Sequence, residues 1–181
     1  METKEKIAKY YDGYDEDERL VSKHGMVEYL TTMKYIETYL RPNVRILEIG
    51  AATGRYSHAL AQRGYRVDAV ELLEHNIELF QKNTVAGEPV TITQGNALDL
   101  SAFESNTYEI TLLLGPMYHH FTREDQLKAL SEAIRVTKKG GILFAAYCMG
   151  DASILSYGFV RGEIDSILED CGLNPETFDA F

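Results

Sequence analysis

The sequence predicts an α/β fold, a doubly wound and mainly parallel sheet with helices on both faces. From residue 44 onward, short apolar runs alternate with segments whose apolar residues recur every three or four positions, as in strand–helix–strand units. Two runs, residues 110–114 and 142–146, are largely apolar at successive positions, which indicates strands covered on both faces. The predicted strands span residues 44–49, 65–71, 90–93, 108–114 and 142–147.

The segments between these strands carry apolar stripes at helical spacing, and we expect the stripes to face the sheet. They are Tyr56/Leu60, Leu73/Ile77/Phe80 and Leu127/Leu130/Ile134. Thr122, with Asp125 three residues later, predicts the start of the third of these helices. Gly64 and Gly140 follow the first and third stripes, where left-handed C-terminal caps are expected.

Another amphipathic helix is predicted ahead of the first strand, and Arg-Pro at residues 41–42 ends it, because the residue before proline disfavours helical backbone. Its apolar stripe consists of Val27, Leu30, Met33, Ile36 and Leu40. We expect this helix to pack on the sheet as a lid. The chain of 181 residues is interpreted as a single domain, with N-terminal lid helices in 1–43, a core in 44–150 and a C-terminal helical segment in 151–181.

Charge and composition exclude several function classes. The chain has 18 basic and 28 acidic side chains, so its net charge of −10 repels the phosphates of nucleic acids. Its first residues are charged rather than apolar, and no run approaches the ~20 apolar residues of a membrane span. We therefore expect a cytoplasmic protein that binds neither nucleic acid nor membranes. Cys148 and Cys171 are expected to be free thiols.

The first strand runs directly into a turn of small residues, Gly50-Ala-Ala-Thr-Gly54, before the next helix. Such a turn lets a ligand approach the backbone, and the N–H groups at the helix start can bind anionic groups. The dinucleotide pattern G-x-G-x-x-G fails here, because Arg55 stands at its third glycine. The segment from Glu48 to Gly54 instead resembles motif I, (D/E)-x-G-x-G-x-G, of the class I S-adenosylmethionine-dependent methyltransferases. Ala52 replaces the middle glycine of that motif.

A second acid, Glu71, ends the second predicted strand, 23 residues after Glu48. An acid at this place in a doubly wound sheet can accept both hydrogen bonds of a ribose diol, which S-adenosylmethionine and NAD both carry. The resemblance implies that Glu48 and Glu71 hold opposite parts of the cofactor, and that Asn96 and Ala97 bind its adenine. The full set of predicted S-adenosylmethionine-binding residues is Glu48, Gly50, Ala51, Ala52, Gly54, Glu71, Leu72, Asn96, Ala97 and Leu114.

The loop after the fourth strand, where Gly115-Pro116 breaks the apolar run, is where the chemistry is expected. The resemblance implies that this loop borders the methyl-transfer centre, so His119 and Tyr118 are the candidate catalytic residues. A histidine suits a general base, since its ordinary pKa of about 6.5 is close to neutral pH. The predicted substrate-binding residues are Tyr11, Tyr14, Arg19, His24 and His120. No metal site is predicted, because these adjacent histidines lack Cys, Asp or Glu partners at ligand spacing.

The sequence thus predicts methyl transfer from S-adenosylmethionine to a small-molecule acceptor, by in-line displacement at the sulfonium methyl group. Two alternatives stay open: an NAD-dependent oxidoreductase, and a non-catalytic S-adenosylmethionine-binding protein. The resemblance also implies a seven-stranded sheet, whereas no sixth or seventh strand is predicted after residue 147. We therefore expect either that C-terminal strands are missing or that a partner chain covers the exposed fifth strand, for example in a homo-oligomer.

Overall fold

The computed structural model describes residues 23–120, 122–148, 154–160 and 162. The chain divides into two units, residues 1–146 and 147–181. The first unit contains every strand of the described ranges, and the second contains a π-helical segment, Ile154–Val160. Among the helices of these ranges, we find none with the length and apolar character that crossing a bilayer requires.

The sheet has the order β3-β2-β1-β4-β5, and every neighbouring pair is parallel. Its strands are β1 (Arg45–Ile49), β2 (Arg66–Glu71), β3 (Val90–Gln94), β4 (Tyr108–Leu113) and β5 (Thr137–Ala145). Parallel pairing requires a crossover between successive strands, and the helices supply it. The predicted fold class is confirmed.

Helices cover both faces of this sheet. They are α1 (Lys23–Glu37), α2 (Arg55–Ala61), α3 (Glu74–Asn83) and α4 (Arg123–Val136). Strand β1 shows how the two apolar cores separate, because successive side chains of a strand point to opposite faces. Ile46 packs with Ile36 and Leu60 of α1 and α2, whereas its neighbour Leu47 packs in the cluster that contains Ala129 of α4.

Helix α1 packs on the sheet through the face that carries Tyr29, Met33 and Ile36. Met33 and Ile36 are 3% and 0% exposed, but Val27 and Leu30, which we predicted in the same stripe, are 65% and 59% exposed. With 3.6 residues per turn, Tyr29, Met33 and Ile36 share one helix face, and Val27 lies on the opposite face. The predicted stripe was therefore wrong in its first half.

Helix α4 packs mainly through small side chains, although Leu130 of the predicted stripe also packs against the core cluster. Leu127 and Ile134, which were predicted to face the sheet, are 55% and 57% exposed. The buried face instead carries Ala129, Ala133 and Val136, which also recur at helical spacing. Alanine lets the helix backbone lie close to the strands, so the alanine face packs on the sheet and the bulkier face does not.

The predicted helix ends gave mixed results. The Thr122 hydroxyl accepts the Asp125 N–H at 3.1 Å, which confirms the start of α4. Gly64, at φ +86°, closes α2 through a hydrogen bond from its N–H to the carbonyl of Ala61, which confirms that cap. Gly140 is not a helix cap, because α4 ends at Val136 and the chain enters β5 directly. At φ +80° it lies inside β5, next to a register shift against β4.

The turn after β1 is left-handed at Gly50, Ala52 and Gly54, with φ of +77°, +47° and +92°. The N–H groups of Gly50 and Ala51 donate to the carbonyl of Val70, at 2.8 and 3.0 Å, and so anchor the turn to β2. Ala52 adopts this conformation in spite of its methyl group. The departure from the glycine pattern therefore leaves the left-handed turn in place.

Glu48 links the end of β1 to α2. Its side chain is 2% exposed, and the Ser57 hydroxyl donates a hydrogen bond to Oε2 of its carboxyl group. Burial raises the pKa of Glu48 from 4.5 to about 7, and the hydrogen bond from Ser57 opposes this shift. Near neutral pH the group therefore exchanges between a buried carboxylic acid and a buried carboxylate.

Ala52→Gly tests the strain in the turn. Left-handed backbone costs a non-glycine residue about 1–2 kcal/mol, while glycine lowers stability by about 0.4–1 kcal/mol through the unfolded chain. We expect the free energy of unfolding, measured by urea denaturation, to stay unchanged or rise by up to about 1 kcal/mol. Ala51→Gly is the matched control, because Ala51 is buried at ordinary φ, and it should lose about 1–2 kcal/mol. Equal losses in the two variants would contradict the strain argument.

Glu48→Gln tests the buried carboxyl group. Between pH 4.5 and about 7 the folded chain retains a proton that the unfolded chain has released, so wild-type stability falls as the pH rises through this window. The amide removes this dependence, so its unfolding free energy should exceed that of wild type by up to about 3 kcal/mol at pH 8 and approach it near pH 5. Urea denaturation at several pH values measures the difference. Glu74→Gln, at an exposed site, should change nothing, and a pH-independent difference for Glu48→Gln would refute the assignment.

Candidate functional site

A cleft lies where the first four strands end, at the edge of the sheet that carries their carboxyl ends. It encloses about 510 Å³, part of it open to solvent. Doubly wound sheets bind ligands at this edge, at the point where the strand order reverses, which here falls between β1 and β4. The lining residues are Gly50, Ala52, Val70, Glu71, Leu72, Gly95, Asn96, Ala97, Gly115, Pro116, His119 and His120.

Most of the predicted cofactor set meets in this cleft, together with two of the loop histidines. The predicted residues that line it are Gly50, Ala52, Glu71, Leu72, Asn96, Ala97, His119 and His120. The lining residues that we did not predict are Val70, Gly95, Gly115 and Pro116. Val70 and Gly95 are chain neighbours of predicted residues, and Gly115 and Pro116 form the break after β4. Their position beside the predicted motifs could have identified them as lining residues.

Several predicted residues do not line the cleft. They are Glu48, Ala51, Gly54, Leu114 and Tyr118. Glu48 is the main departure, because Ser57 of α2 binds its carboxyl group away from the cleft. Of the two carboxyl groups that were expected to hold the cofactor, that of Glu71 lines the cleft and that of Glu48 does not. Tyr11, Tyr14 and Arg19 lie outside the described residues, as does the side chain of His24.

Glu71 is the acidic group of the cleft, and backbone donors hold it. Its Oε2 accepts the N–H of Ala52 and its Oε1 accepts the N–H of Leu73, each at 2.9 Å. The amide of Asn76 adds a longer contact of 3.4 Å to Oε1. Oε2 keeps a further lone pair, so Glu71 can accept one more hydrogen bond from a ligand without moving, and a ligand hydrogen bond to Oε1 would replace the longer contact from Asn76.

Two glycines let neighbouring segments approach closely around the cleft. A Cβ atom on Gly50 would lie 2.8 Å from the ring carbons of Pro116, and one on Gly95 would lie 2.8 Å from Cγ1 of Val70. Such contacts are shorter than van der Waals packing allows. Glycine at position 50 therefore lets the loop after β4 lie against the turn after β1, and glycine at position 95 lets the turn after β3 lie against β2.

The turn after β3 presents Asn96 and Ala97 to the cleft. The Asn96 side chain accepts the N–H of Leu98 at 3.0 Å, a local hydrogen bond that fixes the turn. Asn96 also forms an isolated bridge with Asp99. The backbone of this segment is therefore set before any ligand binds.

The segment after β4 brings two histidines to the cleft. It forms a short 3₁₀ turn, Pro116–Tyr118, and the ring of Tyr118 lies 4.8 Å from that of His119. Burial lowers the pKa of His119, with the neighbouring His120 adding to the effect, and burial also lowers the pKa of His120. Both imidazoles are therefore neutral near pH 7, and each can accept a proton.

The electrostatics of the cleft favour neutral or cationic ligands. Among the described residues that line it there is no lysine or arginine, and Glu71 carries the acidic group. The described ranges contain no group of three or more His, Cys, Asp or Glu side chains that could hold a metal ion.

Residues 46–141 match a family model described as a methyltransferase domain. The matched segment runs from β1 into β5 and includes every residue that lines the cleft. It also makes up more than half of the chain.

Two curated proteins illustrate the similarity. YqeM of Bacillus subtilis (strain 168), which bears a provisional methyltransferase name, is 26% identical over 110 residues, 61% of this chain and 44% of its own length. The S-adenosyl-L-methionine-dependent Diels-Alderase iccD of Talaromyces variabilis is 31% identical over 101 residues, 54% of this chain and 34% of its own length. The chain thus spans less than half the length of either relative.

A solved structure shares the fold. It is described as an S-adenosylmethionine-dependent methyltransferase from Methanosarcina mazei and is 21% identical, with a TM-score of 0.62, covering 81% of this chain and 74% of its own. This similarity supports the fold. Together with the matching family model, it confirms the motif-based resemblance to the methyltransferases, and the chain belongs to the methyltransferase-domain family.

Proposed function

We propose that this chain binds S-adenosylmethionine in the cleft and catalyses methyl transfer to a small-molecule acceptor. The observation that carries the proposal is the preorganised Glu71 carboxylate at the end of β2, held by the N–H groups of Ala52 and Leu73. Such a carboxylate is suited to a ribose diol, because Oε2 keeps a lone pair and Oε1 gives up only the long contact from Asn76 when it accepts a hydrogen bond from the ligand.

The described residues fit an adenosyl cofactor. Gly50 and Gly95 stand where any side chain would collide with Pro116 or Val70, so glycine at both positions lets the segments that line the cleft pack against one another. Asn96 and Ala97 are the proposed contacts of the adenine base, and the turn after β1 is the proposed contact of the amino-acid part. When bound, S-adenosylmethionine supplies a methyl group that its sulfonium already activates.

The residues of the chain are proposed to bind, orient and exclude water. The cleft carries no described lysine or arginine, and the acidic Glu71 favours a cationic ligand over an anionic one. Pro116 closes over Gly50 and thereby limits access of water to the turn. Binding, orientation and exclusion of water matter more here than acid–base catalysis. Holding the cofactor and the acceptor in place lowers the barrier to methyl transfer without a further chemical step.

His119 is proposed as the group that takes a proton from the acceptor. It lines the cleft and its lowered pKa leaves the imidazole neutral near pH 7. Tyr118 does not line the cleft, so we assign it a positioning role through its ring contact with His119. Tyr11, Tyr14, Arg19 and His24 remain predicted contacts of the acceptor.

The charge of the chain and its family bear on the class of acceptor and of reaction. The net charge of −10 disfavours nucleic acid for the reason given above. A nicotinamide-dependent oxidoreductase is not supported, because Arg55 occupies the position of its third glycine and the family model is that of a methyltransferase domain.

Glu71→Gln tests cofactor binding. The amide has one acceptor oxygen instead of two and no negative charge, so we expect the affinity for S-adenosylhomocysteine to fall at least about tenfold. Isothermal titration calorimetry measures it, with NADH as a second ligand that should give no heat. Glu74→Gln, an exposed carboxyl on α3, is the matched control and should bind as wild type does. Absence of heat from the wild-type chain with S-adenosylhomocysteine would remove the basis of the proposal.

His119→Asn tests proton removal. Loss of a general base should lower the rate of S-adenosylhomocysteine formation by about 100-fold or more, while the affinity for that product changes less than about twofold. The rate is measured with S-adenosylmethionine and a panel of small phenols, amines and thiols. His75→Asn, at an exposed position on α3, should keep the wild-type rate. A parallel loss of rate and affinity would contradict the role, and no turnover with any acceptor would favour a non-catalytic binding protein.

A further inference from the structure

His120 is a buried polar side chain whose ring nitrogens have no hydrogen-bond partner among the described residues. It is 5% exposed, and neither Nδ1 nor Nε2 of its ring has a hydrogen-bond partner within the part of the chain that the structure describes. Leaving a buried polar group unsatisfied costs about 1–3 kcal/mol, so such a group in a folded protein calls for a reason. His120 also lines the cleft, which indicates that its partner comes from the cleft side.

The segment that carries His120 forms one wall of the cleft. Pro116 lies against Gly50, and Met117 packs against the apolar cluster that contains Val70 and Ala97. His120 therefore lines the same cleft as the turn that carries Asn96 and Ala97. The Gln126 amide of α4 holds it there by donating to the carbonyl of His120 at 3.0 Å.

The hydrogen-bonding groups of the His120 ring limit which ligand groups can bind it. Burial lowers the pKa of His120, so near pH 7 the neutral ring offers one N–H donor and one acceptor nitrogen. An adenine edge offers the complementary set, an amino donor beside ring-nitrogen acceptors. The acidic cleft without described lysine or arginine makes an anionic partner less favourable.

We infer that His120 hydrogen-bonds the adenine base of the bound cofactor, together with the turn at Asn96 and Ala97. The inference rests on the proposed binding of S-adenosylmethionine and assigns His120 to the cofactor rather than to the methyl acceptor. His120 is then a determinant of base specificity, and its unpaired ring nitrogens are the protein half of a hydrogen bond that the ligand completes.

The test compares the binding of S-adenosylhomocysteine with that of S-inosylhomocysteine, whose base carries a carbonyl oxygen in place of the amino group. His120→Phe keeps a flat ring but has no polar atom, and it should bind S-adenosylhomocysteine at least about tenfold more weakly than wild type in calorimetry. His120→Asn restores a donor and an acceptor and should stay within about threefold of wild type. His75→Phe, on the exposed face of α3, is the matched control and should bind as wild type does.

Base discrimination is the readout that a purely structural role of His120 would not change. Wild type should prefer S-adenosylhomocysteine over S-inosylhomocysteine, and this preference should shrink at least about threefold in His120→Phe, as expected when one of several contacts to the base is lost. The melting temperature of each variant without ligand is measured first. If His120→Phe does not fold, His120→Leu takes its place in the same comparison.

The outcomes separate this inference from the proposed function. If wild type binds S-adenosylhomocysteine and a folded His120→Phe binds both ligands equally well as wild type, the inference is overturned. Loss of turnover with unchanged binding would also overturn it and would assign His120 to the acceptor. If wild type itself binds no S-adenosylhomocysteine, the proposed function fails, and this inference fails with it.

Discussion

The carboxylate of Glu71 is the interaction on which the rest of the site depends. It sits at the end of β2 and accepts N–H groups from both sides, from Ala52 in the turn after β1 and from Leu73 ahead of α3. One side chain thus fixes the geometry of two neighbouring loops. Because backbone donors hold both oxygens, the carboxylate is fixed in position, and binding of a ligand to it requires little reorganisation.

The same interaction explains how alanine is accepted in a glycine turn. Ala52 at φ +47° is strained, but in this conformation its N–H donates to Glu71. The hydrogen bond to a buried carboxylate is worth about 1.5–3 kcal/mol, which is enough to offset the cost of left-handed backbone. Gly50 and Gly54 have no such freedom, since a Cβ on either would collide with Pro116 or with His58.

The sheet and most of the cleft could be predicted from the sequence, because strand ends and turn residues are local signals. Strand β4, for example, was predicted at 108–114 and lies at Tyr108–Leu113. The faces of α1 and α4 could not be predicted in the same way, since periodicity alone does not show whether large or small side chains pack on the sheet. The stripe of larger side chains that contains Leu127 was predicted to face the sheet, but the alanines of α4 are buried instead. The hydrogen bond from Ser57 to Glu48 is visible only in the three-dimensional structure. The sequence did not show it, so Glu48 was predicted to bind the cofactor.

Glu48 and Glu71 show how environment separates two identical side chains at adjacent strand ends. Glu71 is bound by N–H donors, which suit a carboxylate, whereas Glu48 is enclosed beneath α2 and has the Ser57 hydroxyl as its partner. Burial is the main reason why the pKa of Glu48 rises to about 7, and repulsion from Glu71 adds a smaller contribution. A protonated Glu48 removes a second negative charge from beside the cleft. The cleft therefore presents one fixed carboxylate among apolar and neutral groups. This charge pattern depends on the burial of Glu48, a residue that does not line the cleft.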